Sequence, residues 1–235
     1  MPTSWAPGAA PLAEASRIIA RVAFDGRSFE DAMAHAERSR KLRDRSATVA
    51  IARGTLRWYL RLAPAVDLLL KRPGGLARDL RALLVATAHQ VEYSRNVPQA
   101  SVHASVDAAR ILGQERSTGI VNAVLRRFVA ERAELLARVD RDLAVRTAHP
   151  KWLVNQLGEA WPDQAESILA GNNAHPPMVL RVDVSRTPLA RYLEELAAAG
   201  LSARAVPWAP AAVVLDEPVP VAEVPGFQER WDSVQ

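Results

Sequence analysis

Apolar residues recur at helical spacing through the first 150 residues and at every second position after Pro177, and this change of period most limits the folds open to the chain. Leu12, Ala15, Ile18, Ile19 and Val22 mark a first amphipathic helix, closed by an Asp25-Gly26 turn. Ser28, with Asp31 three residues on, predicts the start of a second. Val49, Ala52, Leu56 and Tyr59 keep the period in a third helix, and Leu76, Leu80, Leu83, Leu84, Thr87 and Val91 do so in a longer one. Pro98 suits the first turn of the next, which runs to Leu112-Gly113, and a last long helix follows Ser117. Pro73-Gly74-Gly75 and Asn96-Val97-Pro98 are the breaks between them. Residues 1–148 are expected to form an all-α bundle.

Beyond His149-Pro150 the pattern changes. "PKWLVNQLGEAW" and "PDQAESILAGNN" predict two short helices, each opened by a proline. "MVLRVD" alternates as a strand does; "TPLARYLEELAAAG" predicts a helix with Thr187 as its N-cap, Pro188 at its first position and Gly200 just past its end. "AVVLD" is a further strand, and Trp231 begins another. The expected fold is thus mainly α, a helical bundle (1–148) followed by a small β-α-β, RRM-like unit (149–235). The last strand reads as a beginning, so the sheet edge expects more chain.

No run of about 18 apolar residues exists, and the first eleven residues lack a basic region followed by an apolar core. No membrane partner is expected, and a cytoplasmic location is the default. The absence of cysteine removes disulfides, thiolate metal sites and cysteine nucleophiles together. The five histidines lie far apart without metal-ligand spacing, and no dinucleotide, P-loop or hydrolase-elbow motif is present. No catalytic, metal or cofactor residue is expected in this chain.

Net charge is +4, but it is unevenly spread. Residues 1–150 hold 24 Lys and Arg against 15 Asp and Glu, whereas residues 151–235 hold 6 against 11. Such asymmetry predicts a basic bundle facing an anionic partner. In "ERSRKLRDRSATVAIARGTLRWYLR", the residues Arg40, Lys41, Arg43, Arg45, Arg53, Arg57 and Arg61 face few acids, and the last three stand four residues apart on one helical face. The same residues also read as a solvated face. Trp58 and Tyr59 could stack on bases, though core packing suits them better. In "GIVNAVLRRF", Asn122 and Arg126 border one side of an apolar stripe and Arg127 the other. Arg181, in the strand "VLRVD", could touch RNA or pair with Asp183.

"RGTLRWY", "VPQASVHASVDAARILG" and "GIVNAVLRRF" resemble, in order and spacing, the NusB-type RNA-binding helical domain. "HPKWLVNQLGEAWPDQAESILAGNNAHPPMVLRVD" and "VPGFQERWDSVQ" resemble the central part of the RsmB/Sun/Fmu family of bacterial 16S rRNA cytosine-C5 methyltransferases. The family often has a glutamate near Ala104, a glycine near Ala123 and an asparagine where Asp183 stands. The resemblance implies small-subunit ribosomal RNA as partner, and S-adenosyl-L-methionine as the cofactor of the full-length family rather than of this chain. It implies that the family's Rossmann-type domain with two cysteines would follow Gln235, so that this polypeptide alone is expected to be inactive. A separately encoded methyltransferase domain is a further candidate partner. So is a transcription or ribosomal protein, as in NusB-type antitermination.

Overall fold

The computed structural model describes residues 5–39, 44–227 and 232–234. They form two compact units, 1–173 and 174–235.

The first unit is helical: α1 (Ala9–Asp25), α2 (Phe29–Ser39), α3 (Arg45–Asp67), α4 (Arg78–Tyr93), α5 (Pro98–Ile111), α6 (Thr118–Val139), α7 (Leu143–Arg146), α8 (Lys151–Ala160) and α9 (Ala165–Asn173). Every residue of α4 from Ala82 to Ala88 is buried, because α1, α3, α5 and α6 all pack against it. A helix apolar on all sides belongs inside the core. Its leucines meet Leu12, Ile18 and Ile19 of α1, Leu62 and Val66 of α3, and Leu125 and Phe128 of α6 in one cluster. Two hydroxyls in this core are satisfied by the preceding turn, Ser16 donating to the carbonyl of Leu12 and Thr87 to that of Leu83, whereas those of Thr55 and Ser101 have no partner among the described residues.

Helix ends follow the expected chemistry. The Ser28 hydroxyl accepts from the Asp31 backbone N–H at 3.1 Å, as the spacing predicts. After α5, Gly113 adopts φ 76°; its N–H donates to Arg110 and that of Gln114 to Ala109, which turns the chain back toward α6. Pro64 sits inside α3 without ending it, since Leu62, Ala63, Ala65 and Val66 are buried on either side and hold the last turn in place.

The second unit is a four-stranded sheet with one helix: β1 (Met178–Val182), α10 (Leu189–Ala198), β2 (Ala203–Val206), β3 (Ala209–Leu215) and β4 (Asp232–Val234), in the order β2-β3-β1-β4. All its pairings are antiparallel. Met178, Leu180 and Val182 of β1 pack with Tyr192 and Leu196 of α10, as alternation requires. Two local expectations change. β2, too polar and short to show a period, pairs with β3 and was not predicted. Thr187 does not cap α10: Pro188 holds the cap position, and the buried Thr187 hydroxyl has no partner among the described residues. Gly200, with φ 78°, closes α10 as predicted.

The closest approach in the bundle lies between α3 and α4. A Cβ added at Gly54 would stand 2.6 Å from Cε1 of His89, so only glycine fits beneath that ring. His89 in turn lies against Tyr93, whose ring stacks on Trp58 at 4.7 Å. This bears out the core-packing reading of Trp58. Burial lowers the pKa of His89 to about 4, and its Nδ1 has no partner among the described residues. Gly54→Ala should lower stability by about 1–3 kcal/mol in urea titrations; an unchanged midpoint would mean that the ring yields freely.

His89 also sets an acid limit. Its folded pKa lies below the ordinary value of 6.5, so its contribution is present above pH 6.5 and is lost as pH falls toward about 4. The loss should reach roughly 3 kcal/mol at most. Melting curves of the parent and of His89→Gln between pH 7 and 4 should show the smaller decline in the variant; equal declines would place the acid lability elsewhere.

Candidate nucleic-acid interface

The arginines singled out by sequence do not share one environment. Arg40, Lys41 and Arg43 lie outside the described residues. Arg45 is exposed and pairs with Glu37 at 2.7 Å. Arg53 places its guanidinium 4.9 Å from the centre of the Phe29 ring. Arg57 donates to the carbonyl of Asn173 at 3.3 Å.

Arg61 is the most committed of them. Its Nε and Nη2 hold both carboxylate oxygens of Asp140, at 2.8 and 2.6 Å, and its Nη1 donates to the Tyr93 hydroxyl at 2.5 Å. These bonds, led by that to Asp140, raise the arginine's pKa, while burial raises that of Tyr93. A phosphate reaching Arg61 would have to displace partners on α4 and just beyond the end of α6. The i, i+4, i+8 spacing therefore sends three arginines to three different neighbours, a ring, a carbonyl and, for Arg61 alone, an acid far away in sequence.

On α6, Asn122 and Arg126 do lie together: the Asn122 amide oxygen accepts from Arg126 Nε at 3.2 Å. Arg127 points instead to Glu131, with both bonds at 3.1 Å. Asn122 and Arg126 line a groove of about 780 Å³ between α5 and α6. Across it stand Gln99, His103 and Arg110 of α5, with Val102, Val106 and Val129 among its apolar lining. Arg110 and the backbone N–H of Ala6 both donate to Asp107, at 2.5 and 2.9 Å. The Ala6 bond first, then Arg110, holds that carboxyl below the usual range. Sequence reasoning missed Gln99, His103 and Arg110, although their spacing along α5, opposite the buried Ala104 and Ala108, carried the signal.

In the second unit Arg181 is exposed on β1, in register with Ala212 of β3 and Ser233 of β4. Asp183 accepts from the Ser185 backbone and hydroxyl and lies 3.4 Å from Arg186, leaving no hydrogen bond to Arg181. The connection from β1 to α10 contains no glycine, and with antiparallel pairing throughout it does not fit the glycine-loop cradle of a Rossmann-type S-adenosylmethionine site. Among the described residues no group of three or more His, Cys, Asp or Glu is placed to hold a metal, and no helix is long and apolar enough to cross a membrane.

A basic helical bundle and a small antiparallel α/β unit are the two parts that family models match separately. The NusB family model matches residues 13–130, and the ferredoxin-like domain of RsmF/B-like methyltransferases matches residues 149–222. The chain belongs to the NusB family, and its second match adds the ferredoxin-like domain of RsmF/B-like methyltransferases.

It is 40% identical over 226 residues to the ribosomal RNA small subunit methyltransferase B of Pseudomonas syringae pv. tomato, covering 96% of this chain and 50% of that protein. The protein of that name from Pseudomonas putida is 44% identical over 194 residues, 82% of this chain and 44% of that one. The chain thus spans about half the length of the curated relatives it matches. The crystal structure of PH0851 shares its fold with a TM-score of 0.56 at 16% identity, covering 96% of this chain and 53% of that one. The ferredoxin-like match begins at His149, where the sequence pattern changes, whereas the compact units divide after Asn173.

Arg61→Met should destabilise the bundle by roughly 1–3 kcal/mol, because Asp140 and Tyr93 lose their partner at a half-buried site. Arg127→Gln should leave the urea midpoint unchanged, since its pair with Glu131 is exposed. Equal effects would show that the depth of the pair does not decide its worth.

Proposed function

We propose that these residues are the RNA-recognition part of an S-adenosylmethionine-dependent methyltransferase that modifies C5 of cytosine in small-subunit ribosomal RNA in the cytoplasm. The observation that carries this reading is the joining of a basic NusB bundle, with Arg126 held by an amide rather than a carboxylate, to the RsmF/B-like ferredoxin-like domain. Arginines presented without acid partners attract phosphates regardless of sequence, and such contacts set register and orientation on the RNA.

Methylation at C5 needs a nucleophile that adds to C6 of the base, and a cysteine thiolate is the group suited to it. With no cysteine in the 235 residues, this polypeptide supplies binding, and a methyltransferase domain, fused or separately encoded, supplies the chemistry and holds the cofactor. Arg126 and Arg53, with Arg181 of the second unit, are offered to the RNA directly, Arg57 would give up the Asn173 carbonyl, and Arg45 and Arg127 would exchange the surface carboxylates of Glu37 and Glu131 for phosphate.

The purified polypeptide should bind a small-subunit ribosomal RNA fragment with an affinity that falls steeply with salt, while isothermal titration with S-adenosylmethionine should give no binding heat. Salt-insensitive RNA binding, or none, would favour a protein partner. Micromolar cofactor affinity would place the cofactor site in these residues.

A further inference from the structure

The groove between α5 and α6 differs in chemistry from the other basic surfaces of the bundle. Arg45 and Arg127 point to carboxylates at the surface and Arg61 to one at a half-buried site. A second groove of about 400 Å³, between α1, α2 and α4, mixes Arg17 and Arg21 with Glu14, Asp25 and Asp79. Among the described residues no carboxylate lines the α5–α6 groove; its walls carry Gln99, His103, Arg110, Asn122 and Arg126. The Asn122 oxygen is taken by Arg126 Nε, which leaves the Asn122 amide as a donor. The terminal nitrogens of Arg126 have no partner among the described residues. Only Arg110 is partly neutralised, by Asp107.

We propose that this groove holds the sugar-phosphate backbone of a single-stranded RNA segment without reading its bases. This inference rests on the RNA-recognition reading above and assigns the surface that performs it. Walls of donors with no opposing carboxylate complement a ligand made of anionic acceptors. The groove lies on the surface along two packed helices, and its volume of about 780 Å³ is that of a small-molecule site, room for a short run of one strand rather than for a duplex. Among the described residues no Phe, Tyr or Trp lines the groove, so base stacking is confined to the His103 ring, and contact falls mainly on phosphate and ribose. An acidic peptide offers similar charge, but the apolar lining of Val102, Val106 and Val129 lacks the aromatic and methionine residues that anchor protein interfaces.

Gly119 provides a test that removes no existing contact. It lies in the groove at the start of α6, and a Cβ added there meets nothing within 4 Å. Gly119→Glu adds a carboxylate to the walls, at a helix end that favours acids, so the fold is retained. Anisotropy titrations of the 235-residue chain against labelled single-stranded RNA 16-mers of U, A or C should show about tenfold weaker binding for Gly119→Glu. Gly119→Ala should bind like the parent and Gly119→Lys more tightly. Arg126→Gln should lessen the slope of log affinity against log salt by about one.

The three homopolymers should bind alike, and a preference above tenfold among them would overturn the sequence-blind backbone reading. If the parent binds RNA and Gly119→Glu binds it equally well, the groove is not the RNA surface, while the proposed function stands. A parent chain that binds no RNA overturns both. Binding of polyglutamate that Gly119→Glu abolishes, with RNA binding untouched, would give the groove to an acidic protein partner.

Discussion

The burial of α4 on all sides is the constraint on which the bundle depends. Seven consecutive buried residues, Ala82 to Ala88, leave the middle two turns of that helix no face for water, so α1, α3, α5 and α6 must all be supplied around them. The alanines of α4 and the missing side chain of Gly54 set how near these helices come. Where α3 passes His89, a single added methyl group would collide with the imidazole. The same closeness buries His89 as a neutral ring and aligns it with Tyr93 and Trp58, so packing and acid sensitivity have one origin.

This packing also decides which arginines remain available. Arg61 emerges beside Tyr93 and the end of α6, where Asp140 captures it; there it joins α3 to two other helical segments instead of facing solvent. Arg126 emerges on the far side of α6, beside an amide and opposite a wall of donors from α5. The tight turn at Gly113 brings those two walls together, because it returns the chain antiparallel within a few residues of the end of α5. A difference of partner, more than of charge, separates a cross-linking arginine from one that can meet a phosphate.

Recognition by such a surface divides the work of a modifying enzyme. On the proposed function, backbone contacts on a rigid bundle would give affinity and orientation, while discrimination among bases and the chemistry at C5 would call for a deeper site with a nucleophile. The ferredoxin-like unit follows the bundle in the chain and presents Arg181 on its antiparallel sheet. The departures from the family's usual residues fit this division: Ala104 is buried on the core side of α5, and Ala123 is exposed on α6, so neither alters the groove walls.

The sequence by itself determined the helical bundle, the change to a strand period after Pro177 and most helix ends, because period, proline and glycine act within a turn or two of chain. It placed Asn122 and Arg126 side by side for the same reason: four residues on a helix are neighbours whatever surrounds them. It missed β2, whose hydrogen bonds to β3 outweigh a weak local pattern, and it assigned to Thr187 a cap that Pro188 occupies. Only the tertiary structure paired Arg61 with an aspartate 79 residues away and set His103 and Arg110 across a groove from Arg126. Such partners are fixed by the packing of whole helices about α4, and no window of sequence contains both sides of the contact.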